Sequence, residues 1–123
     1  MARTVRRHGV AVALLIATCV TAHAQSDPSW RQPFEGLRIA ANLYFVGTRG
    51  LSSFLVVTPQ GHILIDSGLE ESVPLIIANI EKLGFKATDV KILLSSHAHF
   101  DHFGGHAKMQ RRTGARVMAV GEF

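Results

Sequence analysis

The sequence predicts a mixed α/β (α+β) fold, and three observations carry that expectation. Short runs rich in β-branched and aromatic residues are followed by a segment with helical apolar spacing and a second helical segment, and glycine and proline turns separate them. The central runs are continuously apolar, as in strands covered on both faces. At 123 residues the chain holds at most one domain.

Residues 1–24 read as an export signal outside that fold. Arg3, Arg6 and Arg7 make a positive start, residues 10–20 an uncharged and mostly apolar core, and Ala22-His23-Ala24 a small-x-small cleavage site before Gln25. The core is shorter than the roughly 20 apolar residues of a membrane span. An uncleaved anchor and a lipoprotein signal acylated at Cys19 are the alternatives, but Ile16-Ala17-Thr18-Cys19 is a loose lipobox, with Thr18 where a smaller residue is usual. Cleavage after Ala24, export to the periplasm and no stable membrane anchor are the expectation.

The formal charge of +4 belongs largely to that signal, since removing its three arginines leaves ten Lys plus Arg against nine Asp plus Glu. A nearly neutral chain lacks the basic face that neutralises many phosphates, so nucleic acid is excluded as the main partner. Lys108, Arg111, Arg112 and Arg116 read as a solvated helix face. Cys19, the single cysteine, would leave with the signal, so neither a disulfide nor a thiolate ligand is available to the exported part.

Residues 25–41 read as an N-terminal arm, interrupted by Pro28 and Pro33 and anchored by Trp30 and Phe34. Strands are expected at 42–46, 53–58 and 62–66, separated by Gly47-Thr48-Arg49-Gly50 and Pro59-Gln60-Gly61. A helix follows over 69–83, with Val73, Ile76, Ile77 and Ile80 on one stripe, Glu70 and Glu71 in its first turn, Lys82 in its last and Gly84 as its stop. Pro74 blurs its start. Residues 90–94 read as a strand, 104–113 as a second helix and 116–120 as a strand.

The chemistry is concentrated after the strand at 90–94, where His97-Ala98-His99-Phe100-Asp101-His102 packs four zinc-type donors into six residues. Neutral imidazole and carboxylate are what zinc accepts, at about 2.0 to 2.2 Å. Residues two apart on an extended strand are separated by roughly 6.6 Å, so the segment must curl to converge on an ion. In a bent loop His97 and His99 reach one zinc while Asp101 and His102, aimed differently, reach a second; small Ala98 and the pair Gly104-Gly105 ease that turn. Zincs roughly 3.5 to 4 Å apart can share one hydroxide, because bound water ionises near pH 7, and no serine or cysteine nucleophile is then required. His106 lies beyond the glycines and is left out of the ligand set. His62, beside a turn glycine, reads as a surface residue.

The run His97-Ala98-His99-Phe100-Asp101-His102-Phe103-Gly104-Gly105 resembles the signature of the metallo-β-lactamase superfamily. Asn42-Leu43-Tyr44-Phe45-Val46-Gly47, Ser53-Phe54-Leu55-Val56-Val57-Thr58 and Ile63-Leu64-Ile65-Asp66-Ser67-Gly68 are similar to its early strands. His97 and His102 together resemble the third subclass of its β-lactamases. The resemblance implies an exported αββα sandwich hydrolase whose small-molecule substrate is the β-lactam ring of penicillins, cephalosporins and carbapenems. It implies two zinc ions per complete site, with His97 and His99 on the first, and Asp101 and His102 on the second. It makes Asp101 the catalytic residue of the set as well as a ligand, and Asp66 a support behind the metal loop; as a bare residue, Asp66 reads equally as a turn former before Ser67-Gly68.

Family members need a further histidine on each zinc, and substrate contacts, from a second half absent from these 123 residues. Residues 42–123 are therefore expected to be the N-terminal half of the sandwich, truncated, with an uncovered apolar sheet face and little activity alone. Two other readings remain open: a glyoxalase II-like thioesterase or lactonase on the same fold, and a non-catalytic zinc-binding fragment.

Overall fold

The computed structural model describes residues 27–119. The expected export signal at 1–24, Cys19 within it and the end of the last expected strand at Val120 lie outside the described residues.

Six strands form one sheet in sequence order: β1 (Leu37–Ala40), β2 (Leu43–Phe45), β3 (Phe54–Val56), β4 (His62–Ile65), β5 (Val90–Ser95) and β6 (Arg116–Ala119). Short connections force β1 to β4 into an antiparallel meander. The parallel pairs β4·β5 and β5·β6 need crossovers, supplied by helix α1 (Val73–Lys82) and by helices α2 (Phe100–Phe103) and α3 (His106–Thr113).

Strand β1 departs from the reading of residues 25–41 as an arm. It is held by its ladder with β2 rather than by burial, for Leu37 and Ile39 are both exposed, so no burial pattern marks it in the sequence. Before it, Pro28–Arg31 forms a 3-10 turn capped by the Asp27 carboxylate, which accepts from the Ser29 N–H at 2.8 Å.

Helix α1 buries the expected stripe of Val73, Ile76, Ile77 and Ile80, but it starts four residues later than the sequence suggests. A helix running from 69 would put Pro74 in its interior, where the ring clashes with the carbonyl four residues back. Instead Glu70–Ser72 forms a 3-10 turn and Pro74 sits in the first turn of α1. Gly84 (φ +90°) and Gly114 (φ +74°) follow α1 and α3 in the left-handed region that ends helices.

The core lies between the helices and one face of the sheet. Leu55, Leu64, Val90 and Leu93 are fully buried against Val73, Ile76, Ile80 and Met109. Along the same strands Phe54, Val56, Ile63, Ile65, Ile92 and Leu94 alternate to the other face and are only half-buried. The expectation of strands buried on both faces therefore holds in full on the helix side alone. The reading of His62 as a surface residue is also corrected: it is buried, its ring edge-on to Phe85 at 5.5 Å.

Candidate metal centre

Strands β4 and β5 run parallel and side by side, so their C-terminal ends deliver Asp66 and Ser96 to the same place. The Asp66 N–H donates to the Leu94 carbonyl at 2.8 Å, extending the ladder by one residue. Asp66 then takes φ +60°, a left-handed conformation that aspartate adopts more readily than most residues. That twist accompanies a buried carboxylate with three donors on it. Oδ1 accepts from the Ser96 N–H at 2.8 Å, and Oδ2 accepts from the Ser96 hydroxyl at 2.6 Å and from His102 Nδ1 at 2.9 Å. Burial pushes the Asp66 carboxyl up, but the bonds from His102, the Ser96 hydroxyl and the Ser96 backbone outweigh it and hold the group below the ordinary carboxylate value.

This network assigns the tautomers of two rings in their neutral form. An ionised carboxylate only accepts, so His102 carries a proton on Nδ1, and in the neutral ring the lone pair lies on Nε2, on the side of Asp101. The Ser96 hydroxyl proton is engaged by Asp66, so the contact between Ser96 Oγ and His97 Nδ1 at 3.1 Å makes that nitrogen the donor and frees His97 Nε2 as well.

The segment curls as expected, through bends at 96–98 and then α2, a single helical turn absent from the sequence reading. His97 and His99 are exposed in the segment before α2, while Asp101 and His102 are half-buried on α2. The His97 and His99 rings meet edge-on at 4.6 Å, His97 lies 3.8 Å from the His102 ring, and His102 Nε2 is 3.5 Å from Asp101 Oδ2. The four donors thus share one surface, yet among the described residues no three His, Cys, Asp or Glu side chains surround a common metal position. The His97 ring instead meets that of His99 edge-on and that of His102 at a tilt. The donor set of three imidazoles and a carboxylate, with two ring nitrogens freed by their partners, fits zinc chemically.

Gly104 and Gly105 are there for close approach rather than for a special backbone angle, since both lie in the ordinary helical region. A Cβ on Gly105 would sit 2.5 Å from the Ser67 carbonyl oxygen and 2.8 Å from Val73 Cγ2, and one on Gly104 would sit 2.5 Å from the Phe100 carbonyl oxygen. Bare backbone lets the α2–α3 turn press on the chain leaving β4, where Gly105 N–H donates to the Gly68 carbonyl at 2.9 Å and Ser67 N–H to the His102 carbonyl at 2.8 Å. On the open side Trp30 packs against Phe100 with ring centroids 6.1 Å apart, and Phe100 is 62% exposed.

His106 is not among the clustered donors. It is buried, with Ser67 Oγ 2.6 Å from Nδ1 and Ser95 Oγ 2.8 Å from Nε2. The sequence reading missed Ser67, Ser95 and Ser96. Its available signal was a pair of small hydroxyls closing an apolar strand directly before the donors.

Residues 46–123 match the sequence pattern of the metallo-beta-lactamase superfamily. Among solved structures, the chain is 57% identical to the native FEZ-1 metallo-beta-lactamase from Legionella gormanii, covering 71% of this chain and 33% of that one with a TM-score of 0.69. It is 46% identical to the class B3 di-zinc metallo-beta-lactamase LRA-12 from an Alaskan soil metagenome, covering 76% of this chain and 35% of that one with a TM-score of 0.73. An N-acyl homoserine lactonase of Bacillus cereus is 29% identical over 76 residues, 43% of this chain and 30% of that protein. The chain spans about a third of the length of these relatives. With a sheet and helices arranged as in these structures and the donor run at the end of β5, the chain belongs to the metallo-beta-lactamase superfamily.

Proposed function

We propose that the full-length protein is a zinc-dependent hydrolase that opens the β-lactam ring of penicillins, cephalosporins and carbapenems. His97 and His99 would hold one zinc, and Asp101 and His102 a second. The observation that carries this reading is the Asp66 carboxylate, whose bonds to His102 and Ser96 engage the Nδ1 side of the His102 and His97 rings and leave Nε2 as the metal-binding nitrogen of each neutral ring. The similarity to β-lactamases of known structure supports the choice of substrate. Bound zinc would supply Lewis acidity, which ionises water near pH 7 and polarises a carbonyl. This chain's part is to present the donors in a fixed tautomer and to anchor them to β4 and β5 through Asp66 and Ser96. Asp101, half-buried beside His102 Nε2, is the one carboxylate in the cluster and so the residue proposed to work on the reaction directly.

Export through the signal at 1–24 belongs to the same proposal, and a periplasmic product beginning at Gln25 by mass spectrometry would support it. The likeness to a lactonase favours one competing substrate class. Turnover of a chromogenic cephalosporin by the full-length protein, lost with a chelator and regained with zinc, is the expected result. Zinc-dependent turnover of a homoserine lactone or a thioester with no action on the cephalosporin would replace the β-lactam reading.

A further inference from the structure

We infer that His106 is a positioning residue for the metal cluster: its buried ring clamps the end of β4 to the end of β5 and so holds the loop that carries the donors. The inference rests on the zinc reading above. No other described side chain bonds both strand ends through its two ring nitrogens. Nδ1 meets the hydroxyl of Ser67, which follows Asp66, and Nε2 meets the hydroxyl of Ser95, which precedes Ser96. A neutral imidazole donates from one nitrogen and accepts at the other, and a serine hydroxyl does either, so both contacts are satisfied together.

Position makes the clamp consequential. Ser67 holds α2 and α3 at once, its N–H donating to the His102 carbonyl while its hydroxyl meets His106 one helical turn further on. Ser95 is two residues from His97. Each serine is the chain neighbour of one member of the Asp66–Ser96 pair, which orients the His97 and His102 rings. If the strand ends part, that pair parts with them. His106 makes no hydrogen bond or ring contact with any of the four donors, so it would act on them through this frame. Its burial also keeps the ring neutral, lowering its pKa against an opposing pull from the Asp66 charge.

The test uses the full-length protein with His106→Leu, which removes both bonds at similar volume, and His106→Gln, which restores one donor and one acceptor. Zinc affinity is read by competition with a chromophoric chelator, and amide hydrogen exchange of residues 95–102 is read without zinc. His106→Leu is expected to weaken zinc binding about tenfold, the lower end for partners outside the ligand shell. Exchange should speed up across 95–102 while β2 and β3 stay protected, and His106→Gln should recover most of both effects. If His106→Leu cannot be purified, Ser95→Ala breaks the Nε2 contact alone and should show the same pattern at about a third of the size. Zinc affinity and exchange within twofold of the parent would overturn the inference. So would acceleration spread evenly over the whole sheet with no recovery in His106→Gln. Neither readout involves an antibiotic, so loss of the β-lactam reading leaves the inference standing. A parent protein that binds no zinc would overturn the metal reading, and the zinc-free exchange would still decide whether His106 is a clamp.

Discussion

Replacing Asp66 by asparagine tests the central physical claim at nearly constant volume. Asparagine also tolerates the left-handed angle of φ +60°, so the backbone is not the variable. The carboxylate accepts three bonds, at 2.8, 2.6 and 2.9 Å. An amide oxygen still accepts the Ser96 N–H, but the amide NH2 then faces Ser96 Oγ and His102 Nδ1 as a donor. The His102 proton must move to Nε2, and the lone pair meant for a metal turns inward. Bonds to an ionised acceptor contribute about 1.5–3 kcal/mol each and neutral ones about 1 kcal/mol. The lower desolvation cost of a neutral amide offsets part of the difference. A net stability loss of about 2 kcal/mol is expected in urea unfolding, together with a 10- to 100-fold drop in zinc affinity, roughly 1.4 to 2.7 kcal/mol. Long-range proton–nitrogen NMR correlations of the zinc-free protein report the tautomer directly. A His102 ring still protonated on Nδ1 in Asp66→Asn, with zinc affinity within twofold, would refute the reasoning.

Asn79 offers an independent measure of the packing: its Nδ2 reaches the carbonyls of Phe34, Val46 and Gly47 at 2.9, 3.0 and 3.1 Å, so Asn79→Leu should destabilise by about 2–4 kcal/mol in denaturant titration, and a change below about 0.5 kcal/mol would mean those carbonyls find water instead. Gly105→Ala drives a Cβ into the Ser67 and Leu69 carbonyls, so thermal unfolding should register a loss of about 1–3 kcal/mol; an unshifted melting temperature would show that the turn yields freely. For pH, burial holds His106 below its ordinary value of about 6.5, so the unfolded chain takes up the proton first as acid is added. The stability owed to the neutral ring is whole above that value and is lost as pH falls through the lower folded pKa. Urea midpoints of parent and His106→Gln, compared at pH 8 and pH 5, should converge on acidification, and parallel midpoints would remove His106 as the source.

How far the site is legible in the sequence depends on how local each feature is. The donors His97, His99, Asp101 and His102 are covalent near-neighbours after an apolar strand, so their proximity needs no tertiary information. The stripe of α1 and the glycine ends of α1 and α3 repeat with the helical period and are likewise readable residue by residue. Strand β1 carries no such mark, because its ladder rather than its side chains holds it. The single turn of α2 is too short to show a period, and His62 is buried by Phe85, whose approach nothing beside His62 foretells.

The sequence by itself determined which atoms are offered to a metal and the family in which that offer is made, since both are written in one contiguous run. Only the tertiary structure decided that Asp66 meets Ser96 across 30 residues of sequence, that Gly105 is bare because the Ser67 carbonyl occupies the space a Cβ would need, and that His106 lies behind the donors, bonded to two serines. Those contacts join parallel strand ends and a packed turn whose partners lie far apart along the chain. Their chemistry is set by which protons remain once every buried acceptor has been satisfied, and that count exists only after the chain has folded.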